Sequence, residues 1–224
     1  IEVAKNAAPT VKRVAQELGG KSPNIILDDD SFAANVAGGV ANMMMNSGQS
    51  CNAPSRMLVP TARLAEAAEA ARSLESTLTV GDPTGDVRLG PVVSERQFDK
   101  IQGLIQRAVD DGATVVMGGP GRPDDLPTGY YVKPTVFVDV TNDMEIARTE
   151  VFGPVMVIIG YDDVDDAIAI ANDTDYGLAG YVSGADLDQV RQVGLRIRAG
   201  SICLNGAPVD PTMPFGGYKQ SGNG

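Results

Sequence analysis

The stretch "MMMNSGQSCNAPSRMLV", residues 43–59, places Cys51 directly after Gly48-Gln49-Ser50. A free thiol in such a polar, glycine-flanked setting is either a small buried side chain or a nucleophile. The only other cysteine, Cys203, alternates with Ile202 and Leu204 in "GSICLNG", the pattern of a strand-buried residue. The sequence contains no histidine, so neither Ser-His-Asp nor Cys-His catalysis can be built from it. Acid–base work falls to carboxylates, lysine, tyrosine or water. Two carboxylates stand out. Glu17, in "QELGGKSPN" (16–24), precedes Gly19-Gly20, where a backbone or ligand can approach closely. Glu150, in "EVFGPVM" (150–156), stands with Phe152 just before a strongly apolar run.

These residues need a frame. Val3, Ala7, Val11 and Val14 share a helical face and predict a helix over residues 2–13, followed by a strand in "VAQEL" that stops at Gly19-Gly20. "NIIL" (24–27) is a short apolar strand, and Phe32, Val36, Val40 and Met43–Met45 predict a buried helix over 31–46. "SRMLVP" is a strand ended by proline, and Thr61 is placed to cap the alanine-rich helix that runs to about Leu74. "TLTVGDPTGDVRLGP" predicts a short strand and then a loop. Ser94 with Gln97 forms a capping box for a helix over 95–110. Strands follow in "ATVVMGG", "YYVKPTVFVDV" and "PVMVIIGY", then a helix over 163–172, a strand over 178–183, a helix over 186–198 and a strand over 200–204. Alternating strands and helices with short connections and continuous apolar strands predict an α/β fold: a mostly parallel sheet with helices on both faces, in three αβα layers.

Composition bounds the partners. The formal net charge is −11, and the resulting field repels nucleic acid and anionic membrane surfaces. No apolar run approaches the ~20 residues of a spanning helix. Two cysteines far apart in the chain suit reduced thiols in the cytoplasm better than a disulfide framework. With no histidine and no CxxC, a metal site has almost nothing to build on. There is no GxGxxG and no GxxxxGK[ST], so no phosphate-cradling turn of either kind. The chain opens at Ile1 directly in helical pattern and ends in Ser221-Gly222-Asn223-Gly224, as a piece of a longer polypeptide would.

"ELGGKSP", "NSGQSC", "EVFGPV" and "PFGGYKQSG", in this order and spacing, resemble the NAD(P)-dependent aldehyde dehydrogenase superfamily over essentially the whole chain. The resemblance implies a catalytic-domain fragment. Residues 1–19 would be the last helix and strand of an upstream dinucleotide-binding domain, and 20–224 the catalytic domain. It implies Cys51 as nucleophile and Glu17 as general base, oxidising a small aldehyde to the acid through a thiohemiacetal and a thioester with NAD or NADP. Glu150 and Phe152 would hold the nicotinamide ribose and ring, the Leu18 backbone would lie near the nicotinamide, and Gln97 and Lys100 would touch the adenosine half. Backbone N–H groups are expected to lower the Cys51 pKa, and partial burial to raise that of Glu17. The parent enzyme would be a dimer or tetramer of identical subunits. The segment "NGAPVDPTM" supplies none of the aromatic substrate contacts of many relatives, and there is no Trp, which argues against a quaternary-ammonium cage. Two other outcomes stay open: an acyl-transferring enzyme that passes the thioester to coenzyme A, against which Glu17 counts, and a non-catalytic binding or structural protein on the same scaffold. Asn205 and Lys219 are assigned to turn and loop, not to catalysis.

Overall fold

A computed structural model describes residues 1–208 and 210–224. Seven strands form one sheet in the order β3-β4-β5-β2-β1-β6-β7. They are β1 (Pro23–Ile26), β2 (Arg56–Pro60), β3 (Thr114–Met117), β4 (Thr135–Val138), β5 (Val155–Tyr161), β6 (Ala179–Ser183) and β7 (Ser201–Leu204). Every pairing is parallel except β3 with β4. The central strands β1, β2, β4 and β5 are buried almost throughout, which is why they read as continuous apolar runs.

Helices cover both faces. On one face α2 (Phe32–Met44) and α3 (Leu64–Arg72) pack through Phe32, Val36, Val40, Ala67 and Ala71 onto Ile26, Met57, Val59 and Ile158. On the other, α4 (Glu95–Asp110), the single turn α5 (Glu145–Arg148), α6 (Val164–Asn172) and α7 (Leu187–Gly194) pack onto Ile25, Leu58, Phe137, Val157 and Val182. Consecutive strand residues alternate between the two cores, as Ile25 and Ile26 do. The expected three-layer α/β fold is therefore the one observed. Among the described residues no helix is long and apolar enough to cross a membrane.

Several expected elements differ. The first helix, α1, ends at Ala7 and continues only as a 3-10 turn through Thr10, because Pro9 cannot sustain the helical hydrogen bond. "VAQEL" is not a strand. No neighbouring strand offers it a ladder, and instead Leu18 N–H donates to Ser221 O at 3.1 Å and Gly224 N–H to Gln16 O at 3.2 Å. No residue from 1 to 19 is buried. Thr61 does not cap α3; its hydroxyl donates to Tyr161 O at 3.0 Å, and a 3-10 turn precedes the helix. The strand expected near Val80 is a single bridge to Leu89. α5 was not anticipated, being too short to show a period.

Two buried cations sit at the amino ends of β1 and β2. The Arg56 guanidinium donates to Asn142 Oδ1 and Ile170 O, both at 2.6 Å, and to Ala171 O at 2.9 Å, tying β2 to the end of α6. Lys21 is 1% exposed, and its Nζ has no hydrogen-bond partner. Burial first, then the Arg56 charge, pull its pKa from 10.5 down to about 7. An unfolded chain keeps that proton up to about 10.5, so between the two values the unfolded state binds more protons and stability rises with pH. The urea midpoint is expected to climb from pH 7 towards pH 10, and Lys21→Met is expected to flatten that climb. An unchanged slope in the variant would show that Lys21 is charged in the folded chain.

Candidate functional site

The three chemistry-bearing segments meet at the amino ends of β1, β2 and β5. Gly19 and Gly20 make the junction. A Cβ on Gly20 would lie 2.2 Å from the Cys51 carbonyl oxygen, and one on Gly19 would lie 2.5 Å from Glu150 Oε2. At Gly20 the obstacle is backbone, so only glycine fits; at Gly19 a larger residue would require the Glu150 side chain to move. The contact is reinforced by Gly20 N–H donating to Glu150 Oε1 at 3.1 Å.

The Cys51 segment is shaped by an abrupt end to α2. Asn46, Ser47 and Gly48 lie consecutively in the left-handed region, at φ 52°, 53° and 66°. Two of them are not glycine, so the turn carries backbone strain of about 1–3 kcal/mol per residue. Polar contacts hold it: Asn46 Nδ2 donates to Gln49 O at 2.9 Å, Ser47 Oγ to Gly90 O at 2.9 Å, and Val93 N–H to Gln49 Oε1 at 2.8 Å. Gly48 packs on the Gly153 carbonyl, where a Cβ would come within 2.1 Å. Cys51 and Asn52 then occupy the centre of a turn closed by Ala53 N–H to Ser50 O at 3.1 Å.

Cys51 is half-buried. Burial is the largest influence on its thiol and pushes the pKa up; its own N–H and that of Asn52 pull it down, while Glu150 and Glu17 push it up again. The expected net lowering is therefore not found. Desolvation outweighs the backbone donors, and the charges of Glu150 and Glu17 add to it. Glu17 is exposed, so the partial burial expected for it is not found either. Cys203 is not sealed inside the sheet. It is half-exposed on the edge strand β7, it lines a groove of about 770 Å³, and burial raises its thiol pKa as well. An edge strand has one uncovered flank, which alternation in the sequence cannot reveal.

Glu150 and Phe152 lie beside the junction, both half-buried. Phe152 has φ 55°, unusual for an aromatic residue. Two side chains one turn apart on α4 hold this segment. Gln97 Nε2 donates to Val151 O at 2.9 Å and Phe152 O at 2.8 Å, and Lys100 Nζ donates to Glu150 O at 2.8 Å. Gln97 thus completes only half of its capping box: Ser94 Oγ accepts from Gln97 N–H at 3.3 Å, while the Gln97 amide is committed to the loop. Leu18 is 50% exposed in the chain's irregular approach to β1.

"PFGGYKQSG" supplies the remaining support. Buried Ser221 donates through Oγ to Gly19 O at 2.7 Å and accepts from Gly177 N–H at 3.0 Å. Together with the two backbone bonds to Gln16 and Leu18, it pins Glu17 from both sides. Ser221 was missed in the sequence because a serine among glycines carries no distinguishing pattern. Lys219 Nζ donates to Asn172 O and Thr174 O, both at 2.8 Å, and Asn205 exchanges two hydrogen bonds with Gly184, so both side chains are tied to loop backbone. In "NGAPVDPTM", Val209 lies outside the described residues; the others are exposed.

A raised thiol pKa means that the thiolate fraction of Cys51 grows with pH beyond the ordinary thiol range. Its iodoacetamide alkylation rate in this chain is expected to keep rising above pH 9; a plateau below pH 8 would contradict the electrostatics. Gln97→Ala is expected to speed amide hydrogen exchange in residues 150–154 about tenfold, since about two hydrogen bonds of ordinary strength are lost. No change in exchange would show that Phe152 holds its conformation without α4.

Residues 1–224 match the Aldehyde dehydrogenase family. The chain is 53% identical over 223 residues to the 3-succinoylsemialdehyde-pyridine dehydrogenase of a Pseudomonas species, covering 99% of this chain and 47% of that protein. Its fold superposes with TM-score 0.97 and 52% identity on a cysteine-to-alanine variant of aldehyde dehydrogenase C from Pseudomonas syringae in complex with NAD+ and octanal, over 100% of this chain and 46% of that one. An aldehyde dehydrogenase of Mycobacterium tuberculosis complexed with NAD+ matches with TM-score 0.94 and 44% identity, over 100% and 46% of the two chains. The chain spans about half the length of the relatives it matches. On its sequence and its fold, it belongs to the aldehyde dehydrogenase family.

Proposed function

We propose that this chain carries the catalytic residues of an NAD(P)-dependent aldehyde dehydrogenase that oxidises a small aldehyde to its carboxylic acid. The observation that carries the reading is the convergence of Cys51, Glu17 and Glu150 around Gly19-Gly20. Neither a structural cysteine nor a cysteine–histidine enzyme requires two carboxylates beside the thiol. Residues 1–19, none of which is buried and of which Val3 and Val11 are exposed, would belong to an upstream dinucleotide-binding domain.

The residues present fit one half of a nicotinamide dinucleotide. Glu150 offers a carboxylate for ribose hydroxyls, and Phe152 and exposed Leu18 offer apolar surface for a ring. Gln97 and Lys100 contribute by fixing the carbonyls of residues 150–152, and remain candidates for the adenosine half. Nothing here fits the pyrophosphate, because the sequence lacks a glycine-rich phosphate turn.

The Cys51 thiolate attacks the aldehyde carbon and forms a C–S bond, giving a thiohemiacetal. A nicotinamide held by Glu150, Phe152 and Leu18 would supply the hydride acceptor, and Cys51 carries the acyl group as a thioester once that carbon has lost its hydride. Glu17 then takes a proton from water, whose oxygen attacks the thioester carbon. The C–S bond breaks, the acid leaves and the thiolate is restored. Proximity of Glu17 to Cys51 favours this hydrolysis over acyl transfer to coenzyme A. A dimer or tetramer acting in the cytoplasm on a soluble aldehyde completes the proposal; the octanal held by the P. syringae relative supports the substrate class.

Rapid-mixing absorbance on the full-length enzyme tests the roles. Cys51→Ala is expected to abolish cofactor reduction. Glu17→Gln is expected to leave a burst of about one equivalent and then slow turnover. Glu150→Gln is expected to slow the burst itself. Full steady-state activity in Cys51→Ala would overturn the reading, and exchanged phenotypes of the two glutamates would reverse their roles. Residues 1–224 alone are expected to give no measurable reduction, because they carry no glycine-rich phosphate turn to hold the dinucleotide.

A further inference from the structure

The groove of about 770 Å³ that Cys203 lines also reaches the proposed nucleophile: Ser50 and Asn52, the residues on either side of Cys51, line it too. Its volume is that of a small-molecule site. Little fills it. Gly38 of α2 lines it, and a Cβ there would meet nothing within 4 Å. Met45, 66% exposed where α2 ends, gives it an apolar wall.

The charge of the groove is the reverse of the chain's. The sequence has 29 aspartates and glutamates against 18 lysines and arginines. Among the described residues no carboxylate lines the groove, and Arg88 does. Arg88 is exposed, and its guanidinium takes part in none of the ion pairs among the described residues. The backbone beneath it is held, because Arg88 N–H donates to Thr79 O at 3.0 Å. Its loop is tied to the segment before Cys51: Ser47 Oγ donates to Gly90 O at 2.9 Å, and Val93 N–H to Gln49 Oε1 at 2.8 Å. A cation is therefore carried on a fixed loop beside the turn that bears Cys51.

We propose that this groove takes an aldehyde with an anionic group at its other end, a carboxylate in the simplest case, and that Arg88 is the specificity-determining residue for that group. The aldehyde carbon meets Cys51, and the carbon chain lies along Met45 and the open space at Gly38. The carboxylate pairs with the guanidinium, whose planar fork matches its two oxygens. A neutral aldehyde gains nothing from Arg88, so the residue separates substrates of equal length by charge. The inference rests on Cys51 being the nucleophile of the proposed function.

The test compares kcat/KM of the full-length enzyme for 6-oxohexanoate and hexanal, which share a six-carbon chain and differ in the terminal carboxylate. The native enzyme is expected to prefer 6-oxohexanoate. Arg88→Gln is expected to lower that preference about threefold to tenfold, through KM, and Arg88→Lys to keep part of it. No preference in the native enzyme, or an unchanged preference in Arg88→Gln, overturns the inference. So does an equal loss on both substrates, which would mean that Arg88 pairs with another part of the parent protein. Calorimetric binding of 6-oxohexanoate to the full-length Cys51→Ala variant keeps the two proposals apart. Binding that Arg88→Gln weakens by the same factor supports the groove even where no aldehyde is turned over. Equal binding with and without Arg88 overturns it even where turnover is normal.

Discussion

The site depends on one close approach. At Gly20 the chain passes so near the Cys51 carbonyl that no side chain fits between them, and at Gly19 it passes equally near the Glu150 carboxylate. Three segments distant in sequence are thereby brought into contact, one through backbone and one through the Glu150 side chain. Gly48 against the Gly153 carbonyl makes a second such contact between two of the same segments. The sheet supplies the register for these contacts: β1, β2 and β5 start side by side and parallel, so the loops entering them converge. Sites in parallel sheets usually lie at the carboxyl ends of strands. Here the glycine contacts fix the amino ends instead.

Electrostatics at this junction opposes the chemistry proposed for it. The thiol is partly desolvated and faces two carboxylates in a chain of net charge −11. Only backbone N–H groups favour its ionisation. Such surroundings favour the thiol over the thiolate. Of the two carboxylates that disfavour the thiolate, Glu17 is the one proposed to take a proton from water afterwards and Glu150 the one proposed to place the cofactor.

Much of the chain acts as scaffolding for short loops. α4 holds three consecutive carbonyls of the Glu150–Phe152 loop with two side chains. The C-terminal "KQSG" segment clamps the backbone around Glu17. Tyr181 reaches across from β6 to the Cys51 turn. In each case a rigid element carries a polar side chain to a loop carbonyl, so an irregular backbone gains the order that no ladder can give it.

Apolar periodicity determined the layers, the strands and most helices, because burying one face of an element is a local property that spacing records. Cys51, Glu17, Glu150 and Phe152 were legible because no histidine was available and the glycine-rich contexts were distinctive. Other features took the tertiary structure to decide. Pro9 cut the first helix, and "VAQEL" found no partner strand despite its pattern. Cys203 alternates like a core residue, but β7 lies at the edge of the sheet, and edges are a matter of strand order. The raised thiol of Cys51, the loop-holding roles of Gln97, Lys100 and Ser221, and the reach of Tyr181 all join residues far apart in the chain. Local spacing carries no information about such meetings; they exist only once the sheet has set which loops are neighbours.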